Sequence, residues 1–461
     1  LPFCFLQDEY YGLVTFLLSS AAVLLPILIF GMQATVIKYF SGYATKIEQD
    51  QFLTMSLFLP LLVILPVGIF GFFFYDYLSE VISQKNPMIK NYAYLIFLVA
   101  VFMGYFELFY AWSKVQLQSV FGNFIKEVFH RVAVTILLFL VFFKILNQGQ
   151  FIYAVVVVYA LRMLIMLFYS LYLYQPKLKF SRHFKTKQLF RYAFYIVLSA
   201  SAGGILLEID KFMIPQIETG LAKVAYYSVA VYIASVISIP ARAMLQIATP
   251  ITAKELNKGH TNEVQKLYST SSIHLLIIGG LLFLLINLNV SDLYKIINKP
   301  EYATGIFVVF LISLSELFKL ALGTNTAILS NSKYYKIYFY FSFLMSFSVI
   351  VLNDLLIKKY GTNGAAISTL IVVVVYGLIR LWYVNNKLKM QPFTIKTAII
   401  LGLIFILYFV FYYISFSFQP LFNIIIKSII IGIIYISIVY FLKISTEFNQ
   451  LLHKIIKKKH A

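Results

Sequence analysis

The sequence predicts an all-α polytopic membrane protein, and three observations carry that expectation. Of the 461 residues, 61% are hydrophobic and only 12% are charged, with a mean hydropathy of +0.85; soluble domains carry about 25% charged residues. The apolar residues gather in runs bounded by polar or Pro/Gly-rich breaks. These runs lack alternation and exceed the roughly 9 to 11 residues of a membrane strand, so they read as helices. The basic residues cluster between the runs. At about 30 to 35 residues per span and connection, the length holds about 14 helices, which excludes a soluble enzyme.

The opening Leu1 to Leu6 is too short to cross a bilayer and ends at Gln7, Asp8 and Glu9. It is expected to be the tail of a truncated first helix, since a signal peptide would carry a basic start and a cleavage site. Spans two to seven are expected at 11–38, 52–75, 91–112, 131–146, 151–175 and 192–215. A second series is expected at 222–246, 268–288, 303–328, 334–356, 364–385, 394–416 and 422–443. Pro26, Pro60, Pro66 and Pro240 fall inside spans and predict kinks.

Orientation follows from the Lys and Arg count. With the missing start placed inside, the cytoplasmic loops and tail hold 26 Lys and Arg, the opposite loops 8, and four lie within spans: Arg162, Lys211, Lys319 and Lys427. Both termini are therefore expected to be cytoplasmic. The net charge of +20 reflects loops facing anionic lipids, not nucleic acid. A single cysteine, Cys4, excludes a disulfide framework, a thiolate metal site and a redox pair.

The basic loop 177–191 is the expected joint between an N-terminal bundle, 1–176, and a second bundle, 192–388; residues 389–461 supply a final helix pair and a basic tail. Weak self-similarity supports the cut. Tyr11-Gly12-Leu13-Val14 with Leu25-Pro26 lies about 215 residues ahead of Tyr227-Ser228-Val229-Ala230 with Ile239-Pro240. Two such halves suit a parallel repeat, and chance likeness between apolar spans is the alternative.

Several short strings resemble a known family. Leu1-Pro2, Glu9-Tyr10-Tyr11-Gly12, Phe30-Gly31 and Ile37-Lys38-Tyr39 are similar to the opening of Wzx-type polysaccharide flippases of the multidrug/oligosaccharidyl-lipid/polysaccharide (MOP) superfamily. Glu208-Ile209-Asp210-Lys211-Phe212-Met213 resembles that family's seventh helix, Tyr226-Tyr227-Ser228 the start of its eighth, and Tyr360-Gly361-Thr362-Asn363-Gly364-Ala365-Ala366 the turn before its twelfth. The resemblance implies a MATE/MOP-like fold of 12 to 14 helices in two bundles around a cavity. It also implies a multi-pass protein of the bacterial inner membrane carrying an undecaprenyl-pyrophosphate-linked oligosaccharide to the outer face for O-antigen, capsule or exopolysaccharide synthesis. The truncated first helix departs from the pattern, because in the family it often brings charges to the cavity.

Ionisable groups within hydrocarbon are costly, by about 2.5 to 3.5 kcal/mol on insertion scales, so each is a candidate site. Arg162 has no carboxylate within one turn of its own helix. It either grips a pyrophosphate bidentately or pairs with Glu107 or Glu316. Glu208 and Lys211 stand three apart on one helix face, as do Glu316 and Lys319; each pair either neutralises itself or contributes its cation to substrate. Asp210 points away from the first pair and either takes a coupling ion, H+ or Na+, or is simply wet. Glu107 has the same two readings. The substrate candidates are thus Arg162, Lys211 and Lys319, and the coupling candidates Glu107, Glu208, Asp210 and Glu316.

Lys427 is expected to snorkel to the outer interface, and Arg380 to do the same inside. The small-residue run Ser199 to Gly204 suits close helix packing or a bend. Segments 113–130 and 252–270 read as cytoplasmic extensions lying along the interface, and the tail 451–459 as an anchor to anionic lipid.

No phosphate loop of the Gly-x-x-x-x-Gly-Lys-Ser/Thr kind and no clustered metal ligands occur, so neither ATP hydrolysis by a P-loop nor a metal or other cofactor is expected. Two other readings compete with the flippase. A membrane glycan polymerase or ligase would need a large outer loop, whereas those at 75–90, 147–150, 216–221 and 289–302 are short. A cation-coupled drug antiporter of the MATE kind would favour buried acids, whereas the spans hold both signs. Expected partners are the lipid-linked oligosaccharide, anionic lipids and other polysaccharide assembly proteins.

Overall fold

The computed structural model describes residues 6–40, 43, 45–178, 190, 193–194, 197, 206–414 and 418–450. Among the described residues every regular element is helical. The expected span 11–38 divides into α1, Asp8–Leu28, and α2, Met32–Tyr39. Pro26 removes a helical donor near the end of α1. Phe30 and Gly31 then take left-handed φ of 48° and 64°, which stops one helix and starts the next. The next span breaks at Pro60 into α3, Lys46–Phe58, and α4, Leu61–Phe73. A capping box between Thr45 and Glu48 starts α3.

Helix α5, Tyr75–Ser83, leads through a 3-10 turn at Pro87–Tyr92 into α6, Ala93–Val115. Then α7, Val120–Phe124, a π turn at Ile125–Phe129 and α8, His130–Phe142, run on without a break. Helix α9, Gln148–Leu173, is capped by Asn147 and Gln150. After α10, Leu206–Ile217, and α11, Ala222–Ser235, a 3-10 turn precedes Pro240 and opens α12, Ile239–Asn257. The chain continues as α13, Thr261–Asn287, α14, Val290–Ile297, α15, Ile306–Ala321, and α16, Asn325–Asn331. It ends in α17, Tyr335–Tyr360, α18, Thr362–Leu388, α19, Ile395–Tyr412, and α20, Pro420–Phe441.

Eleven helical stretches among the described residues are long and apolar enough to cross a membrane. The three other expected spans are the stub, the stretch 131–146, where α8 has 13 residues, and 192–215, which is described only in part. Residues 1–5 of the stub, the run Ser199 to Gly204, most of the loop 177–191 and the tail 451–459 lie outside the described residues. Segment 252–270 is not one continuous extension. It forms the ends of α12 and α13, which meet at a turn where Gly259 has a φ of 76°.

The chain forms two compact units, Leu1–Ala225 with Ser342–Gly361, and Tyr226–Phe341 with Thr362–Ala461. In the first unit, α6 packs along α1 and α9 around Phe106, Phe109, Trp112 and Met166. The second centres on Leu276, Leu284, Ile404, Ile431 and Tyr435 from α13, α19 and α20.

Candidate functional site

In the first unit, the middle of α9 holds Arg162 against α6. Arg162 is 7% exposed, and its guanidinium carbon lies 3.9 Å from the Phe106 ring centroid and 5.7 Å from that of Tyr159. No carboxylate among the described residues is within ion-pair distance of it, and its Nε is buried without a hydrogen-bond partner. The expected pair with Glu107 does not form. Lys126, brought in by the π turn, takes that carboxylate at 2.7 Å. Glu316, the other suggested partner, pairs with Lys319.

Around Arg162 positive charge is in excess. Arg131 uses Glu127 at 3.2 Å, and Lys114 sits over Tyr110, 3.8 Å from its centroid. The His130 ring is 6.4 Å from Tyr159. A desolvated cation-π contact contributes about 2 kcal/mol, which offsets much of the insertion cost of Arg162. It satisfies none of the guanidinium N–H groups in the ring plane. Those donors form the fork that matches a phosphate or carboxylate.

The other candidates are closed on themselves. On α10, Lys211 donates to Glu208 at 2.7 Å, and Ser19 of α1 donates to the same carboxylate at 2.6 Å. Asp210 is fully buried rather than wet, and accepts from Asn353 Nδ2 of α17 at 2.8 Å. On α15, Lys319 holds Glu316 at 2.7 Å. Lys211 and Lys319 thus each have an acid one turn away. Gly12, within the string Glu9 to Gly12, lies so close to the Leu221 carbonyl that any Cβ would collide with it.

Sequence reasoning missed Phe106, His130 and Asp50. Asp50 is buried in α3 and accepts from the Tyr174 hydroxyl at 2.7 Å. Burial and this carboxylate hold the Tyr174 phenol above its ordinary pKa. No local spacing marks this pair, which spans 124 residues. Lys427, expected at the outer interface, is 8% exposed and lines a cavity walled in part by α14 and α19.

The fold and these buried charges define a multi-pass membrane protein. The solved structure of a lipid II flippase, MurJ, in an inward closed conformation is similar to the chain, with a TM-score of 0.67 and 16% identity, over 95% of this chain and 98% of that one. An inward-facing multidrug resistance MATE family transporter of the MOP superfamily gives 0.63 at 14% identity, over 83% and 95%. A Methanocaldococcus jannaschii sequence described as an uncharacterized membrane protein is 23% identical over 401 residues, which is 82% of this chain and 78% of the relative. The chain belongs to the polysaccharide biosynthesis protein family, whose model matches residues 4–256.

Proposed function

We propose that the protein is a flippase that moves an undecaprenyl-pyrophosphate-linked oligosaccharide from the cytoplasmic to the outer face of the bacterial inner membrane, with both termini cytoplasmic. Such a repeat unit would serve O-antigen, capsule or exopolysaccharide assembly. Membership of the polysaccharide biosynthesis family supports this reading, as does the likeness to a lipid II flippase. The observation that carries it is Arg162, a guanidinium buried in mid-span, stacked on Phe106 and with no acid at ion-pair distance among the described residues. A pyrophosphate would supply the missing charge and acceptors, while Phe106 and Tyr159 hold the guanidinium plane in place.

Lys211 and Lys319 remain candidate contacts only where substrate phosphate displaces their own acids. Glu107, Glu208, Asp210 and Glu316 are the carboxylates available to a coupling H+ or Na+. The test is reconstitution in liposomes with a fluorescent polyprenyl-pyrophosphate oligosaccharide and an impermeant external quencher. The expected result is a change in quencher-accessible probe only in liposomes that contain the protein. Equal accessibility with and without the protein contradicts the reading.

A further inference from the structure

We propose that the second unit carries a separate anion seat, which takes a lipid phosphate at the end of the membrane span where α19 and α20 meet. Helices α14 and α15, with α19 and α20, enclose a cavity of about 430 Å³. Lys427 lines it, and the lysine as a whole is 92% removed from solvent. No acceptor among the described residues lies within hydrogen-bond or ion-pair distance of its ammonium. Asp292 is the acid whose charge reaches it, but Lys295 already holds that carboxylate at 2.8 Å. Two cations therefore share one carboxylate in a half-enclosed space, and the surplus positive charge calls for an anion.

The cavity wall indicates which anion. Phe310, Tyr408 and Tyr412 stack along one side, with centroids 5.7 and 5.8 Å apart, and offer an apolar surface to a headgroup's carbon skeleton. Asn287 gives its Nδ2 to the Phe283 carbonyl, leaving its Oδ1 buried without a donor, an acceptor for a ligand hydroxyl. Lys427 stands seven residues into α20, about 10 Å from the helix start, so a lysine side chain reaches the depth of lipid phosphates. A phosphate that carries hydroxyls, such as a glycerol phosphate or a sugar phosphate, meets all three features. By the Lys/Arg orientation this end faces the outer leaflet.

The phosphate belongs either to a bilayer phospholipid or to a polyprenyl lipid, and one experiment separates the two. The full chain in neutral detergent is titrated with phosphatidylglycerol, phosphatidylcholine or polyprenyl phosphate, and retained lipid is read by native mass spectrometry. We expect phosphatidylglycerol to be retained at least fivefold over phosphatidylcholine, Lys427→Met to lower that retention at least fivefold, and Lys427→Arg to keep it. Competition by polyprenyl phosphate assigns the seat to the polyprenyl lipid; failure to compete assigns it to the bilayer phospholipid. Phe310→Trp, which fills the cavity and leaves the charges intact, should also lower retention, and it serves if Lys427→Met does not fold. Equal retention by wild type and either folded variant, or equal retention of the two phospholipids, overturns the proposal. The readout is equilibrium binding, so its failure is distinguishable from failure of the flippase reading.

Discussion

Arg162 in the middle of α9 and Lys319 in the last turn of α15 are both cations on apolar helices, and the two units house them in opposite ways. Lys319 is answered within its own helix by Glu316, whose side chain is only 6% exposed. Arg162 has aromatic rings for neighbours and no acid at ion-pair distance among the described residues, Glu107 being held by Lys126. The contrast separates two uses of charge in a membrane. A pair one turn apart lowers its own insertion cost, whereas a stacked guanidinium with no acid at ion-pair distance keeps its in-plane donors uncommitted.

Four substitutions test that contrast, from the largest effect to the smallest. Lys319→Gln strips a buried carboxylate of its cation and should destabilise the protein by about 2 kcal/mol, less than for a fully buried pair because Lys319 is partly exposed. Thermal unfolding in detergent reads the loss, and adding Glu316→Gln should recover most of it. Lys211→Gln should cost about 1 kcal/mol, because Ser19 still donates to Glu208. If it costs as much as Lys319→Gln, the Ser19 contact contributes nothing. Tyr174→Phe removes one donor from Asp50 and should cost about 1 kcal/mol by the same measurement. Glu107→Gln opens a half-exposed pair and should change stability by less than about 0.5 kcal/mol. It also adds positive charge beside Arg162, so retention of a polyprenyl pyrophosphate should rise, and a fall would mean that Glu107 itself contacts substrate.

The spans could be read from the sequence because a bilayer demands a long apolar run, and the breaks at Pro26, Pro60 and Pro240 because proline removes a donor wherever it stands. The self-pairing of Glu208 with Lys211 and of Glu316 with Lys319 follows from helical spacing and was open as one of two readings. Other features depend on contacts far apart in the chain. Phe106 reaches Arg162 from another helix, Asn353 reaches Asp210 across 143 residues, and Lys126 captures Glu107 through a π turn that no pattern announced. That Lys427 lines a cavity was hidden for the same reason: position along α20 gives depth but does not tell an open side from a cavity wall. The assignment of residues 342–361 to the first unit likewise has no local signal.

The most direct test of the proposed role of Arg162 is the liposome assay run on Arg162→Gln beside Lys319→Gln, with thermal unfolding of each. Losing charge-assisted hydrogen bonds to a phosphate predicts at least a roughly tenfold fall in oligosaccharide translocation for Arg162→Gln with no loss of thermal stability, while Lys319→Gln loses thermal stability. Wild-type translocation by a folded Arg162→Gln would contradict the account.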